Sequence, residues 1–269
     1  MEPKIEIKSV HLPNHEIYTY RECQCIGTSS KVLVMLHSNL SSSYCYENYF
    51  PELCKHFTII APDFRGFGYS SYNTPIKSLD DFVEDLKFLV DEIGLDKFIL
   101  FGWSVGGGVA IKFAARYPSY VEKLILQNCI GPKGFNIGAK PNFHIKPEDI
   151  LKVSMVAGMA HRVSKKVRDN LKEKFLSVFL NESKKIQNDR AEAFIDQILL
   201  QKHLPSVMIA CALYNVSNEN NGLCDGTGEL KKVKCPTLIL GGAKDKFSEP
   251  KEIREIQNSL GKLAKIGRA

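Results

Sequence analysis

The 269-residue sequence holds a single tryptophan, and no apolar run in it is long enough to cross a bilayer. Its longest apolar stretches, such as Val32–Leu36 and Phe98–Phe101, have the length of strands. No membrane span is therefore expected. The start of the chain, Met1-Glu2-Pro3-Lys4-Ile5, has no hydrophobic segment of a secretory signal, so a cytosolic location is expected. None of the eight cysteines forms a C-x-x-C pair, and Cys23-Gln24-Cys25 alone does not make a zinc site. No metal and, in a reducing compartment, no disulfide is expected. The N-x-S triplets at Asn39, Asn181 and Asn215 should then stay unmodified.

Acidic residues are in deficit. Thirty-six Lys and Arg face 30 Asp and Glu, for a net charge of +6. The denser basic patches, Lys165 to Lys174 and Lys184-Lys185, carry no interleaved aromatic platform. They read as solvated helix faces, so no nucleic-acid partner is expected. A hydrophobic content of 44% with 25% charged residues suits an ordinary globular domain.

What is present is an alternation of strand and helix signals. Lys4–Val10 and Glu16–Arg21 read as strands around a turn at Pro13-Asn14. Lys31–His37 is a continuous apolar run, as in a strand buried on both faces. A helix is expected over Tyr44–Cys54, a strand over Thr58–Ala61 and a helix over Ser78–Ile93 stopped by Gly94. Strands follow at Phe98–Phe101 and Lys123–Gln127. From Gly131 to Gly228 strand signals vanish. Helices are expected there over Pro147–Ala160, Ser164–Leu180 and Ala191–Leu204, with a loop over Asn215–Gly228. A strand over Pro236–Gly242 and a helix over Pro250–Leu260 resume the pattern. This predicts a mostly parallel, doubly wound α/β sheet, with core residues 1–130 and 229–269 and a helical cap insertion at 131–228.

The chemistry centres on Gly102-Trp103-Ser104-Val105-Gly106, a G-x-S-x-G between a strand and a helix expected from Val105 to Tyr117. A serine on such a turn is lifted clear of the backbone. Side chains at Gly102 and Gly106 would collide where backbone meets backbone. The helix N-terminus points N–H groups and a positive dipole end at any developing oxyanion.

Four separated segments together resemble the α/β-hydrolase fold superfamily, in its branch of small serine hydrolases with a helical cap. They are Leu36-His37-Ser38-Asn39, Ala61–Ser70 (APDFRGFGYS), the Gly102–Gly106 elbow and Pro236–Asp245 (PTLILGGAKD). The resemblance implies Ser104 as nucleophile and Asp245 as the acid that orients the base. It implies the Val105 and Asn39 N–H groups as oxyanion donors, each contributing about 3 kcal/mol to the transition state. His37 and Asp63–Ser70 would be structural, with Arg65 bonded to neighbouring loops. Trp103 and Tyr44 or Tyr46 would stand at the pocket mouth. No cofactor is called for. One departure is Ser38, where most relatives carry a glycine that permits unusual dihedrals.

The family's histidine follows the acid after a helix, a strand and a loop. None of the seven histidines here (11, 15, 37, 56, 144, 161, 203) follows Asp245. The reading favoured on the sequence is truncation, which also removes the final strand and helix and leaves an exposed edge. Substitution by a cap histidine (His144, His161 or His203) or a non-catalytic relative would be the alternatives. The expected function is hydrolysis of a small carboxylic ester, lactone or related acyl substrate through an acyl-enzyme, impaired without the histidine. The competing class is a non-catalytic, ligand-binding or receptor-like protein. Cap residues Met155, Met159, Phe175 and Phe179 would pack between helices or line the acyl pocket.

Overall fold

The computed structural model describes residues 3–135, 188–245 and 248–268. Eight strands form one sheet: β1 (Ile5–His11), β2 (Ile17–Cys23), β3 (Val32–Leu36), β4 (Thr58–Pro62), β5 (Phe98–Trp103), β6 (Val121–Gln127), β7 (Thr237–Gly241) and β8 (Ala264–Arg268). Their spatial order is β1-β2-β4-β3-β5-β6-β7-β8. β1 and β2 run antiparallel to their neighbours; from β4 to β8 every pairing is parallel. The described helices are α1 (Phe50–Leu53), α2 (Leu79–Glu92), α3 (Val105–Arg116), α4 (Asn188–Leu200), α5 (Leu204–Ala212) and α6 (Pro250–Leu260).

The two faces of the sheet separate by strand alternation. Phe98 and Leu100 of β5 join a core with Phe82, Leu86 and Leu89 of α2, Val109 and Phe113 of α3, and Ile253 and Ile256 of α6. Ile99 and Phe101 face the other way, onto Tyr46, Phe50 and Cys54. α2 forms where expected because Ser78 and Asp81 make a capping box and its apolar residues recur at helical spacing. It ends before Gly94, which holds φ 69°.

Four expectations need correction. Tyr44–Cys54 is not one helix but a 3-10 turn at Ser43–Tyr46 followed by the single turn of α1. Pro51 sits in the first turn of α1, and its missing N–H stops any helix from running through it. The helix expected over Ala191–Leu204 ends at Leu200, and α5 starts anew with Pro205 in its first turn. Cys23 and Cys54 are joined by a disulfide from the end of β2 to the end of α1, where none was expected. Residues 264–268, taken as lying short of a missing last strand, themselves form β8, paired parallel to β7 from Thr237–Ala264 to Gly241–Arg268. Ladder pairing, not the propensity of A-K-I-G-R, makes this strand. Leu238 and Ile266 are exposed at this edge of the sheet. The helices expected over Pro147–Ala160 and Ser164–Leu180, with Met155, Met159, Phe175, Phe179, His144 and His161, lie outside the described residues.

Candidate active site

The strand registers bring four loops to one edge of the sheet. Leu36 of β3 pairs with Gly102 of β5, Trp103 with Gln127 of β6, and Gln127 with Leu240 of β7. The segments that follow these strands therefore emerge together at their carboxyl ends, the usual position of sites on such sheets.

Ser104 sits between β5 and α3 with φ 53° and ψ −114°. That conformation is unfavourable for a residue with a side chain and costs on the order of 1–3 kcal/mol. Its surroundings enforce it. The Ser104 N–H donates to Gln127 O at 3.0 Å, and its carbonyl accepts from Ile130 N–H at 3.1 Å and Gly107 N–H at 2.9 Å. A Cβ on Gly102 would lie 2.4 Å from Gly106 O, and one on Gly106 would lie 2.4 Å from Leu36 O and 2.5 Å from His37 O. Only glycine lets α3 start this close to β3 and β5. The hydroxyl of Ser104 is partly exposed and has no hydrogen-bond partner among the described residues. Val105 opens α3, so its N–H has no acceptor one turn earlier.

The loop after β3 is held from the core by His37. This fully buried ring accepts from Phe64 N–H through Nε2 at 2.9 Å. Its other nitrogen, Nδ1, therefore carries the proton and donates to Ser38 O at 2.7 Å. Burial pushes its pKa down to about 4. His37 is thus a neutral structural group rather than a base for Ser104. Because a trans peptide sets its C=O opposite the next N–H, fixing Ser38 O aims the Asn39 N–H the other way. That N–H has no acceptor among the described residues. The positive φ of this loop falls on Leu40, at 54°, not on Ser38. Serine at position 38 therefore meets no backbone strain.

Asp245 lies past β7. Its carboxylate accepts from Asn128 Nδ2 and from Ser248 N–H, the latter at 3.1 Å. Asn128 directly follows β6 with φ 43°, and its N–H donates to Leu240 O at 2.8 Å. Ser248 Oγ donates to Cys129 O at 2.7 Å. The loops after β6 and β7 are thereby laced together around the carboxylate. Sequence reading missed Asn128. An asparagine in left-handed backbone ending a strand is ordinary in a turn, and nothing local marks it as a partner for a residue over a hundred positions away.

The other expected residues are placed as follows. Trp103 packs against the second core cluster, and Tyr46 is buried, its hydroxyl donating to Leu36 O at 2.9 Å. Tyr44 lies under the Arg21 guanidinium, 5.7 Å from its ring centroid. Arg65 makes a two-pronged pair with Asp85 of α2 at 2.9 and 2.5 Å, and reaches Thr74 O. Asp63 accepts from Ser43 N–H, Ser43 Oγ and Tyr69 N–H. His203 bonds to Ser206 Oγ and stacks on Tyr72, not on Ser104. No metal-binding cluster occurs among the described residues.

A family model described as the alpha/beta hydrolase fold matches residues 31–149, the stretch that carries the elbow and the loop after β3. The chain has the α/β-hydrolase fold. It is similar to an uncharacterized hydrolase of Saccharomyces cerevisiae, 32% identical over 110 residues, 40% of this chain and 37% of that protein. It is similar also to a soluble epoxide hydrolase of Corynebacterium, 35% identical over 126 residues, 45% of this chain and 43% of that protein. The matched regions thus span about two fifths of those relatives' lengths. The solved enol-lactonase from Burkholderia xenovorans superposes with TM-score 0.74 at 17% identity, covering 97% of this chain and 91% of that one. This last likeness concerns the fold. No described helix of the hydrolase-fold chain is long and apolar enough to cross a membrane.

Proposed function

We propose that this chain is a serine hydrolase of small carboxylic esters, lactones or related acyl compounds. The conformation of Ser104, strained at φ 53° and followed directly by a helix N-terminus, carries the reading. In the proposed cycle Ser104 Oγ attacks the acyl carbon while its proton passes to a base. The carbonyl oxygen becomes an oxyanion facing the Val105 and Asn39 N–H groups. The alcohol leaves with a proton, and water then attacks the acyl-enzyme and releases the acid. Asp245, held by Asn128 and Ser248, is the acid that orients the base. Residues 1–130 and 229–269 form the core in this reading, and 131–228 a cap over the site. A serine in the elbow disfavours the aspartate-nucleophile chemistry of epoxide hydrolases.

A second reading has a specific observation behind it. Ser104 Oγ lacks a hydrogen-bonded base among the described residues, as a ligand-binding member of the fold without turnover would. One experiment separates the two. The protein expressed from its own gene is treated with a fluorophosphonate probe and mapped by mass spectrometry, beside Ser104→Ala. The hydrolase reading expects a covalent adduct on Ser104 and at least a thousandfold loss of ester turnover in the variant. An unlabelled wild type with no ester turnover, stabilised by ligands alone, would establish the binding reading instead.

A further inference from the structure

We infer that Gln201, in the link between α4 and α5, is a positioning residue that sets the oxyanion loop at Asn39 and Leu40, where His37 holds it at Ser38. The inference rests on the serine-hydrolase reading for its catalytic consequence, though its geometry stands by itself. Gln201 is buried, and both ends of its amide are used. Its Oε1 accepts the Leu40 N–H at 3.1 Å, and its Nε2 donates to Asn39 Oδ1 at 2.9 Å. A single side chain therefore spans the backbone of one residue and the side chain of its neighbour.

The geometry of Asn39 explains why this matters. Its Cα bears three heavy-atom branches: its own nitrogen, its side chain and its carbonyl. Gln201 fixes the side chain directly. It fixes the carbonyl branch through the Leu40 N–H, because that N–H lies in the same peptide plane. With two branches fixed, the tetrahedral centre fixes where the third, the nitrogen, lies, while the Ser38 carbonyl held by His37 sets the plane of its N–H. Leu40 stands at φ 54°, which a leucine does not adopt without support. The N–H that Gln201 accepts belongs to this residue.

Gln201 is itself held rigidly. Its N–H donates to Ile198 O at 3.2 Å. The next residue, Lys202, donates from its backbone to Gly66 O at 2.8 Å and from Nζ to Ser70 O at 2.9 Å. Met208 of α5 also meets Asn39, its sulfur accepting from Asn39 Nδ2 at 3.4 Å. The α4–α5 segment therefore reaches into the core and meets the loop after β3. Gln197, one turn earlier on α4, makes a comparable buried bond, accepting from Ser42 Oγ at 2.7 Å. Ser42 lies beyond Asn39 and Leu40, so Gln197 supplies a control with similar burial and no grip on the oxyanion residue.

The test compares wild type, Gln201→Leu, Gln201→Glu and Gln197→Leu. Measured are the fluorophosphonate labelling rate at Ser104, kcat and KM on p-nitrophenyl acetate, Tm, and amide exchange at Asn39 and Leu40 by NMR. Gln201→Leu should lower kcat and the labelling rate at least tenfold with KM within twofold, and should lose protection of the Leu40 amide. Gln201→Glu keeps an acceptor for Leu40 N–H but loses the donor to Asn39, so it should fall between. Gln197→Leu should lower Tm by a similar amount with labelling and kcat within twofold of wild type. Wild-type rates in Gln201→Leu, or equal losses in Gln197→Leu, would overturn the positioning role while leaving the hydrolase reading in place. An unlabelled, inactive wild type would remove the hydrolase reading. In that case exchange still decides the clamp: a Leu40 amide unprotected in wild type, or equally protected in Gln201→Leu and Gln201→Glu, overturns it.

Discussion

His37 shows how much one residue fixes at this site. Its neutral ring bonds to Phe64 N–H and Ser38 O at once, and protonation destroys the first of these bonds. A folded pKa of about 4 against an ordinary 6.5 means that the unfolded chain binds the proton first. The stability His37 contributes is therefore complete above pH 6.5 and is lost as the pH falls toward 4. The loss amounts to about 3 kcal/mol by linkage. Urea midpoints between pH 7.5 and 4 should show this slope in wild type and a flatter one in His37→Gln. Histidine at position 37 was readable as structural from the resemblance. Its tautomer was not, because that depends on Phe64, which folding brings to it from 27 residues away.

Among the elements, α3 is fixed at both ends by different means. Glycines seat its start against β3 and β5. Charges anchor its far end: Lys112 and Arg116 bond to Glu229 at 2.7 and 2.6 Å and to Asp80 of α2 at 2.9 and 2.7 Å. Burial alone would raise the pKa of Glu229, but the hydrogen bonds from Lys112 and Arg116 prevail and lower it to about 2. Its contribution is present above pH 4.5 and is lost as the pH drops toward 2, a lower window than that of His37. Glu229→Gln leaves the buried Lys112 with only the half-exposed Asp80, so a loss of about 3 kcal/mol is expected in urea unfolding at pH 7. It should also flatten the acid limb below pH 4.5. The sequence predicted α2 and α3 nearly to the residue because periodicity and caps are local. It failed at Tyr44–Cys54, where Pro51 divides the stretch, and at β8, which exists only through its pairing with β7.

Across the whole molecule, the Cys23–Cys54 disulfide ties the second strand to α1 beneath the second core cluster and spans 31 residues of chain. Closing a loop of that length contributes about 3–4 kcal/mol by restricting the unfolded chain. Non-reducing peptide mapping should recover the Cys23–Cys54 pair. Dithiothreitol, or the double variant Cys23→Ser/Cys54→Ser, should lower the unfolding free energy by that amount. Recovery of both as free thiols would remove the link. Cysteine spacing gave no hint of it, since strand order rather than sequence distance brings β2 and α1 together.

The sequence by itself determined the alternation of elements, the parallel sheet and the glycine-flanked serine, because periodicity, caps and close-approach glycines act over a few residues. It also named Asp245, Asn39 and Val105 as candidates through resemblance. Only the tertiary structure decided what holds them. Strand register places the loops after β3, β5, β6 and β7 at one edge. Asn128 grips Asp245 from 117 residues away, and Gln201 grips Asn39 from 162. The first bond follows from the pairing of β6 with β7 and the second from the docking of the α4–α5 link on the loop after β3; both are properties of the packed molecule rather than of any local stretch of chain.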